Sequence, residues 1–128
     1  MRKSVGRLLL AVVCVLCMGG CAGKDVKEPE GEFIIGVVTK SRNSEYWMSV
    51  NAGMEKAAKE MNVKTVILSP DTETDKKIQK KMIRDLLKMK VDALAVSPID
   101  SNDNRDYYLQ AQELGIPVYS YDTPIADV

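Results

Sequence analysis

The spacing of apolar positions changes several times along this chain, and each change predicts a different element. Residues 33–38 are almost all apolar, which indicates a strand that is buried on both faces of a sheet. Three further runs rich in apolar residues predict strands at 65–68, 91–96 and 118–121. Between these runs the apolar residues recur at helical spacing, so the pattern predicts four strands separated by three helices.

Local signals predict where these helices begin and end. The first helix is expected to begin after the N-cap Ser44, and the second at a capping box formed by Thr72 and Asp75. The third is expected from about Asn102 to Gly115, a residue suited to the left-handed position that ends a helix. The residues predicted to face the core are Trp47, Val50, Met54, Ala57, Ala58, Met61, Ile78, Met82, Leu86, Met89, Tyr107, Tyr108, Ala111 and Leu114.

The alternation of strands and helices predicts an α/β fold, a Rossmann-like parallel sheet with right-handed crossovers and helices on both faces. Gly36, inside the first strand, is expected to permit close helix packing. Ligands of open parallel sheets bind beyond the carboxyl ends of the strands. The segments that follow the strands are therefore expected to form one surface: residues 39–47, 69–71, 97–102 and 121–123. Because the chain stops soon after the fourth strand, we expect an incomplete fold, an N-terminal fragment.

The first 20 residues predict an export signal. Three basic residues in the first seven positions precede an apolar run at 8–18, which Gly19 and Gly20 follow. This order is typical of a secretory signal peptide. The run is shorter than the about 20 residues that span a bilayer, which leaves a transmembrane anchor as the less favoured alternative.

All cysteines of the chain fall in or just after this segment, at Cys14, Cys17 and Cys21, so the exported part has no internal disulfide. Residues 18–21 read Met-Gly-Gly-Cys and resemble the bacterial lipobox, with Met where Leu is usual. The resemblance implies a lipoprotein signal peptide at 1–20 and lipidation of Cys21; ordinary cleavage is the alternative. Residues 21–32 are charged and contain Pro and Gly, which predicts a flexible tether before a domain at 33–128.

Charge and composition exclude several functions. The chain has 18 basic and 18 acidic residues, and without the three basic residues of the signal the remainder has 15 against 18. A net charge of about −3 is opposite to that expected of a nucleic-acid-binding domain, so no nucleic acid partner is predicted. The sequence has no histidine, the commonest general base at neutral pH and the commonest metal ligand.

The strand ends offer little catalytic chemistry. Neither a GxxxxGK loop nor a GxGxxG turn is present, and no histidine can activate a serine. A Ser–Lys pair that uses Lys40 is the nucleophilic arrangement left open. A metal would need carboxylates alone, and Asp100 and Asp103 are better explained as loop and N-cap residues. We therefore predict no enzyme activity, no cofactor and no metal.

Recognition of a small polar ligand fits these residues better. The segment 39–47 combines hydroxyls, an amide, charges and two large aromatic rings, the mixture that sugars need for their hydroxyls and their apolar faces. Asp122, directly after the fourth strand, could accept two hydroxyl hydrogen bonds; the alternative is a turn residue. Another alternative makes Trp47 a core residue and Tyr46 a surface residue.

Residues 33–128 also resemble a known family, the sugar-binding proteins of bacterial ABC importers of the ribose-binding type. The resemblance rests on ordered motifs at 34–39, 43–47, 52–60, 97–98 and 115–122. It implies a periplasmic binding protein with two lobes that close on the ligand about a hinge, of which this chain would hold part of the first.

The resemblance also implies site residues. Asn43, Tyr46 and Trp47 would sandwich the sugar, and Asp122 would bind ring hydroxyls. Lys40 and Thr123, which lie in the same strand-end segments, are the other ligand-binding candidates. Thr123 stands where ribose binders usually have arginine, which leaves another sugar or a polyol open.

Two functions are therefore expected to compete. In the first, the protein is the substrate-binding component of an ABC importer for a monosaccharide or polyol. It is then exported to the periplasm or the outer face of the membrane, is lipid-anchored, and delivers its ligand to a permease. In the second, a lipoprotein with the same lobe passes a ligand signal to a chemoreceptor or sensor kinase.

Overall fold

The computed structural model describes residues 32–126. The predicted signal peptide, the lipidation site Cys21 and the tether up to residue 31 lie outside the described residues. Strands and helices alternate in the predicted order, each within a few residues of its predicted bounds. The elements are β1 (Ile34–Val38), α1 (Glu45–Glu60), β2 (Lys64–Leu68), α2 (Lys76–Lys88), β3 (Ala93–Val96), α3 (Arg105–Glu113) and β4 (Val118–Ser120).

The four strands form one parallel sheet in the order β2-β1-β3-β4. Val38, the last residue of β1, is in register with Leu68 of β2 and with Val96 of β3. These strands therefore end at the same level, and the loops that follow them leave the sheet together. The predicted α/β fold with a parallel sheet is confirmed.

The core lies between the sheet and the helices α2 and α3. Gly36 in β1 allows this close packing, because a Cβ there would lie 3.0 Å from a Leu86 methyl and 3.2 Å from Val91. The predicted role of this glycine is confirmed. The buried residues of the core cluster are Val38, Ile83, Leu86, Leu87, Val91, Leu94, Val96, Tyr108, Ala111 and Ile116.

Some residues predicted to face the core are exposed instead. Met61, Met89 and Leu114 are the C-cap residues of the three helices, where the chain already turns away, and each is more than half exposed. Ala57 and Ile78 also lie on exposed helix faces. On α2 the inward positions belong to Gln79, Ile83, Leu86 and Leu87.

The predicted helix starts need correction in two places. Ser44 is the N-cap of α1 as predicted, although its side chain makes no capping hydrogen bond. Helix α2 begins at Lys76 and not at Thr72, and only one half of the capping box forms: the Asp75 carboxylate accepts a hydrogen bond from the Thr72 N–H at 3.2 Å. Helix α3 begins at Arg105, about three residues later than expected, and Asn104 is its N-cap.

Candidate functional site

The loop after β1 is bonded to the loop after β2. The Thr39 hydroxyl lies 2.5 Å from the Ser69 hydroxyl, and the Arg42 N–H donates to the Pro70 carbonyl at 2.8 Å. Thr39 is fully buried, so this contact lies beneath the loops at the carboxyl end of the sheet. The loops that follow the two strands therefore form one continuous surface, as the order of elements predicts.

On the other side, the β1 loop meets the end of β4. The Lys40 ammonium donates to Asp122 Oδ2 at 2.7 Å and to Thr123 Oγ1 at 2.5 Å. Ser97, the residue after β3, donates its hydroxyl to the same Oδ2 at 3.2 Å. Three of the predicted ligand-binding residues, Lys40, Asp122 and Thr123, are thus in direct contact.

Asp122 is held as an ionised carboxylate with one oxygen unused. The hydrogen bond from the Lys40 ammonium is the main cause that lowers the pKa of Asp122 below its ordinary value. All of its side-chain hydrogen bonds end on Oδ2, including one from the Thr123 hydroxyl at 3.2 Å, and none of the described residues donates to Oδ1. The side chain is 31% exposed, so Oδ1 can accept a hydrogen bond from a ligand.

The backbone at Asp122 is unusual for a residue with a side chain. Its φ of 63° lies in the left-handed region, which aspartate and asparagine tolerate better than most residues. The backbone therefore turns at the residue whose carboxylate is predicted to bind ligand hydroxyls, and that binding role stays a prediction. Asparagine is the substitution that keeps both the shape and this backbone conformation.

Aromatic rings line the side of this network. Trp47 is only 2% exposed, and its indole N–H donates to the Glu73 carboxylate at 2.9 Å. Its ring makes edge contacts with Tyr46 and Tyr121, at centroid distances of 5.0 and 6.4 Å. The Lys40 ammonium lies 5.8 Å from the centre of the indole ring, within the range of a cation–π contact. Trp47 is therefore a buried wall, whereas Tyr46 is 59% exposed and offers an accessible ring.

Tyr121 connects this wall to the sheet. Its hydroxyl donates to the Val38 carbonyl at 3.1 Å. Burial, followed by the nearby charge of Asp122, raises the pKa of Tyr121 above its ordinary value, so the phenol stays protonated. The ring is thereby fixed across the ends of β1 and β4.

Asn43 lies on the β2 side of the same surface. Its side-chain amide donates to the Asp71 carbonyl at 3.1 Å, and its backbone N–H donates to the Ser41 hydroxyl at 3.1 Å. Ser41 is 3% exposed and also donates to the Asp71 carbonyl, at 3.0 Å. Asn43 is exposed, so its amide is anchored by the loop while it faces solvent.

Ser97 also belongs to this network, although it was not predicted as a ligand-binding residue. It is fully buried, and its hydroxyl orients Asp122. Its place follows from the spatial order of the strands, because β3 lies between β1 and β4. The first residue after β3 must therefore sit between Lys40 and Asp122.

Other features of the described residues bear on function less directly. A groove of about 590 Å³ runs beside β4 and is lined by Tyr108, Gln112, Ile116 and Val118, among others, away from the Lys40 network. Residues 32–126 contain no cluster of three or more acidic, cysteine or histidine side chains placed to hold a metal ion. No helix in that part of the chain is long and apolar enough to cross a membrane.

The sequence of this chain matches a known protein family. The family model described as periplasmic binding protein domain matches residues 35–128. The chain belongs to this family. The predicted resemblance is thereby confirmed at the level of the family. The chain spans 29% of the length of the curated periplasmic binding proteins that it matches, so it corresponds to part of such a protein.

Individual periplasmic binding proteins are similar to this chain in sequence and structure. The ribose import binding protein RbsB of Bacillus subtilis (strain 168) is 33% identical over 91 residues, 71% of this chain and 29% of the relative. A carbohydrate transporter solute binding protein from Agrobacterium radiobacter, in complex with D-arabinose, is 27% identical with a TM-score of 0.66, covering 71% of this chain and 30% of that one. An ABC transporter periplasmic solute binding protein from Actinobacillus succinogenes 130z with bound D-allose is 24% identical with a TM-score of 0.70, covering 73% of this chain and 33% of that one.

Proposed function

We propose that the protein is the substrate-binding component of an ABC importer and that it binds a monosaccharide or a related polyol without chemical turnover. Residues Lys40, Asn43, Tyr46, Trp47, Asp122 and Thr123 form the part of the site that this chain contributes. Membership of the periplasmic binding protein family supports this function, as do the ribose import binding protein among its relatives and the similar solute binding protein solved in complex with D-arabinose.

The single observation that carries the proposal is the unused oxygen of Asp122. The carboxylate is fixed by Lys40, Ser97 and Thr123, all on Oδ2, while Oδ1 has no donor among the described residues and the side chain as a whole is 31% exposed. A fixed, ionised acceptor suits a hydroxyl group, because a charge-assisted hydrogen bond is stronger than a neutral one. The Lys40 cation balances the charge, so the site suits a neutral polyhydroxylated ligand.

The aromatic residues supply the complementary apolar contact. The exposed ring of Tyr46 packs edge-on against Trp47, which fixes its position before ligand arrives. A ring held in this way can cover the C–H face of a sugar while Asp122 and the Asn43 amide contact hydroxyls. In this proposal Trp47 contributes indirectly, because Tyr46 and the Lys40 ammonium pack against its ring.

Export and membrane anchoring complete the proposal. The signal-like residues 1–20 and the lipobox-like Cys21 support a lipoprotein on the outer face of the membrane, in the periplasm where one exists. Residues 21–32 would be the tether that holds the domain near its permease. Mass spectrometry of the protein purified from membranes tests this. We expect the mass of a chain that begins at a diacylated Cys21, and the mass of a chain that begins at an unmodified Met1 would contradict the proposal.

A calorimetric screen of the protein expressed from its complete reading frame tests the binding function. The panel contains D-ribose, D-arabinose, D-allose, D-glucose and linear polyols of three to six carbons. We expect at least one of these compounds to bind with a Kd at or below the micromolar range, with no product formed. No binding across the panel would overturn the proposal.

The aromatic contact has a matched control in this chain. Tyr46 and Tyr119 are exposed to nearly the same extent, 59% and 63%, but only Tyr46 lies in the proposed site. Since a well-oriented aromatic contact contributes about 0.5–1.5 kcal/mol, Tyr46→Ala is expected to weaken sugar binding roughly 3- to 10-fold. Tyr119→Ala is expected to leave the Kd unchanged, and equal effects of the two changes would contradict the proposed site.

A further inference from the structure

A buried glutamine joins the two strand ends on which the proposed site rests. Gln79, in the first turn of α2, is 1% exposed. Its amide nitrogen donates to the Thr39 carbonyl at 3.0 Å and to the Ser97 carbonyl at 2.9 Å. Its amide oxygen accepts a hydrogen bond from the Ile99 N–H at 2.9 Å. Both donor hydrogens and the acceptor of this side chain are therefore used on backbone groups.

These backbone groups lie where the sheet ends. Thr39 and Ser97 are the first residues after the paired strands β1 and β3. Their N–H groups still bond to neighbouring strands, at Leu68 and Val38, but the loops then separate from the sheet. Gln79 thus supplies the partners that the two carbonyls would otherwise lack, and it fixes the distance between the loops.

The two loops carry the proposed binding residues. Lys40 directly follows Thr39, and the Ser97 side chain bonds to Asp122 Oδ2. Two of the three contacts to the Asp122 carboxylate, those of Lys40 and Ser97, therefore depend on backbone that Gln79 holds. A shift of either loop would change the Lys40–Asp122 distance of 2.7 Å.

The residue type is informative because the rest of the inward face of α2 is apolar. Ile83, Leu86 and Leu87 occupy the other buried positions of this helix. An apolar side chain at position 79 would extend this face but would leave two carbonyls and one N–H without partners, which is unfavourable in a buried place. The glutamine therefore satisfies backbone groups at the strand ends, whereas an apolar residue would be enough to pack the core.

We propose that Gln79 is a positioning residue of the binding site, which clamps the loops after β1 and β3 so that Lys40 and Ser97 hold Asp122 in its binding geometry. The part of this inference that concerns sugar affinity rests on the proposed function. The part that concerns the Asp122 carboxylate does not, because it is a property of the ligand-free protein.

The first test replaces Gln79 by methionine, an apolar side chain of similar length. The pKa of Asp122 is measured by carbon-detected NMR on the ligand-free protein, and the Kd of the tightest-binding sugar of the panel by calorimetry. We expect the Asp122 pKa to rise towards its ordinary value and the Kd to rise at least 10-fold. Gln110→Glu, on the exposed side of α3, is the control and is expected to change neither quantity.

The second test uses Gln79→Glu, which keeps the shape and adds a pH signature. At neutral pH the introduced carboxylate would face two carbonyl oxygens, and burial would raise its pKa. As the pH falls and this group becomes protonated, it can again donate one hydrogen bond. We expect sugar affinity of this variant to increase as the pH is lowered towards 5, while that of the unchanged protein stays constant.

These results separate the possible outcomes. Unchanged Asp122 pKa and Kd in Gln79→Met, with only a lower unfolding free energy, would overturn the positioning role. If the methionine variant does not fold, the pH profile of Gln79→Glu decides, and a profile parallel to that of the unchanged protein would overturn the role. If the unchanged protein binds no sugar, the proposed function fails, while the Asp122 pKa still decides the role of Gln79.

Discussion

The two ends of the sheet are built by different means. At the amino end, the three helices finish in the same way: a C-cap residue is followed by one residue with positive φ, Asn62, Lys90 or Gly115. The turns after α1 and α3 are closed by backbone hydrogen bonds, such as the one from the Ile116 N–H to the Ala111 carbonyl at 2.9 Å. At the carboxyl end, side chains hold the loops. The buried polar residues of the described chain all lie there: Thr39, Ser41, Gln79 and Ser97, whose side chains make hydrogen bonds, and Asn104, whose side-chain oxygen has no partner among the described residues.

This difference indicates how stability and function are divided. Backbone turns with a left-handed residue depend little on side-chain chemistry, so the turns that end the helices need only residues that tolerate the conformation. Buried polar side chains cost desolvation free energy unless each is satisfied, and they fix one arrangement when they are. We therefore expect substitutions at the carboxyl end to change ligand affinity and substitutions at the amino end to change stability alone.

The largest effect is expected from a pair of aspartates, one at each end. Asp122→Asn removes the ionised acceptor and keeps the backbone conformation. Because a hydrogen bond to a charged group contributes about 1.5–3 kcal/mol, sugar affinity measured by calorimetry is expected to fall roughly 10- to 100-fold. Asp92, whose carboxylate accepts from the Ile34 N–H at 2.7 Å at the amino end, provides the control. Asp92→Asn is expected to leave the Kd unchanged; a comparable loss there would remove the distinction between the two ends.

A smaller effect is expected from one substitution made at two glycines. Gly115 has a φ of +71°, whereas Gly53 lies within α1, and a Cβ would have no neighbour within 4 Å at either position. Gly115→Ala is expected to lower the free energy of unfolding by about 1 kcal/mol, because alanine is strained in this conformation. Gly53→Ala is expected to raise it by about 0.5–1 kcal/mol. Urea unfolding measures both free energies, and the affinity for sugar is expected to be unchanged in both variants.

How much of the molecule could be predicted differs between the same two ends. The alternation of apolar runs predicted the elements, and Gly115 was predicted at the left-handed position after α3, where it lies. The exposed C-cap residues Met61, Met89 and Leu114 were misplaced, because an apolar residue one position beyond a helix still fits the helical spacing. The helical spacing no longer applies at these positions, because the helix ends there and the chain changes direction.

At the carboxyl end the rule for parallel sheets predicted which segments meet but not which atoms pair. Lys40 and Asp122 were predicted on one surface, yet their ion pair depends on the spatial order β2-β1-β3-β4, which the order along the chain does not determine. Gln79 was not predicted, because a polar residue beside Ile78 reads as solvent-facing. Its burial follows from where the strands end, a property of the folded sheet.

The smallest effect is expected from pH. The Asp122 pKa is lowered in the folded protein, mainly by Lys40, so the pair stabilises the fold above the ordinary aspartate pKa of 3.8. This contribution is lost as the pH falls through the lowered value. The Lys40→Met variant lacks it, so its deficit in unfolding free energy is expected to be present at pH 6 and to shrink as the pH approaches 3. A deficit that does not depend on pH would contradict this assignment.

The central claim is that ligand binds at the carboxyl end of the sheet, and a two-dimensional NMR titration tests it directly. The nitrogen-15-labelled protein from the complete reading frame is titrated with the tightest-binding sugar of the panel. We predict that amide signals of residues 39–47, 97–102 and 121–123 shift with the ligand concentration, while those of Asn62, Lys90 and Gly115 stay in place. Shifts centred on the amino-end turns, with the carboxyl-end loops unchanged, would contradict the account.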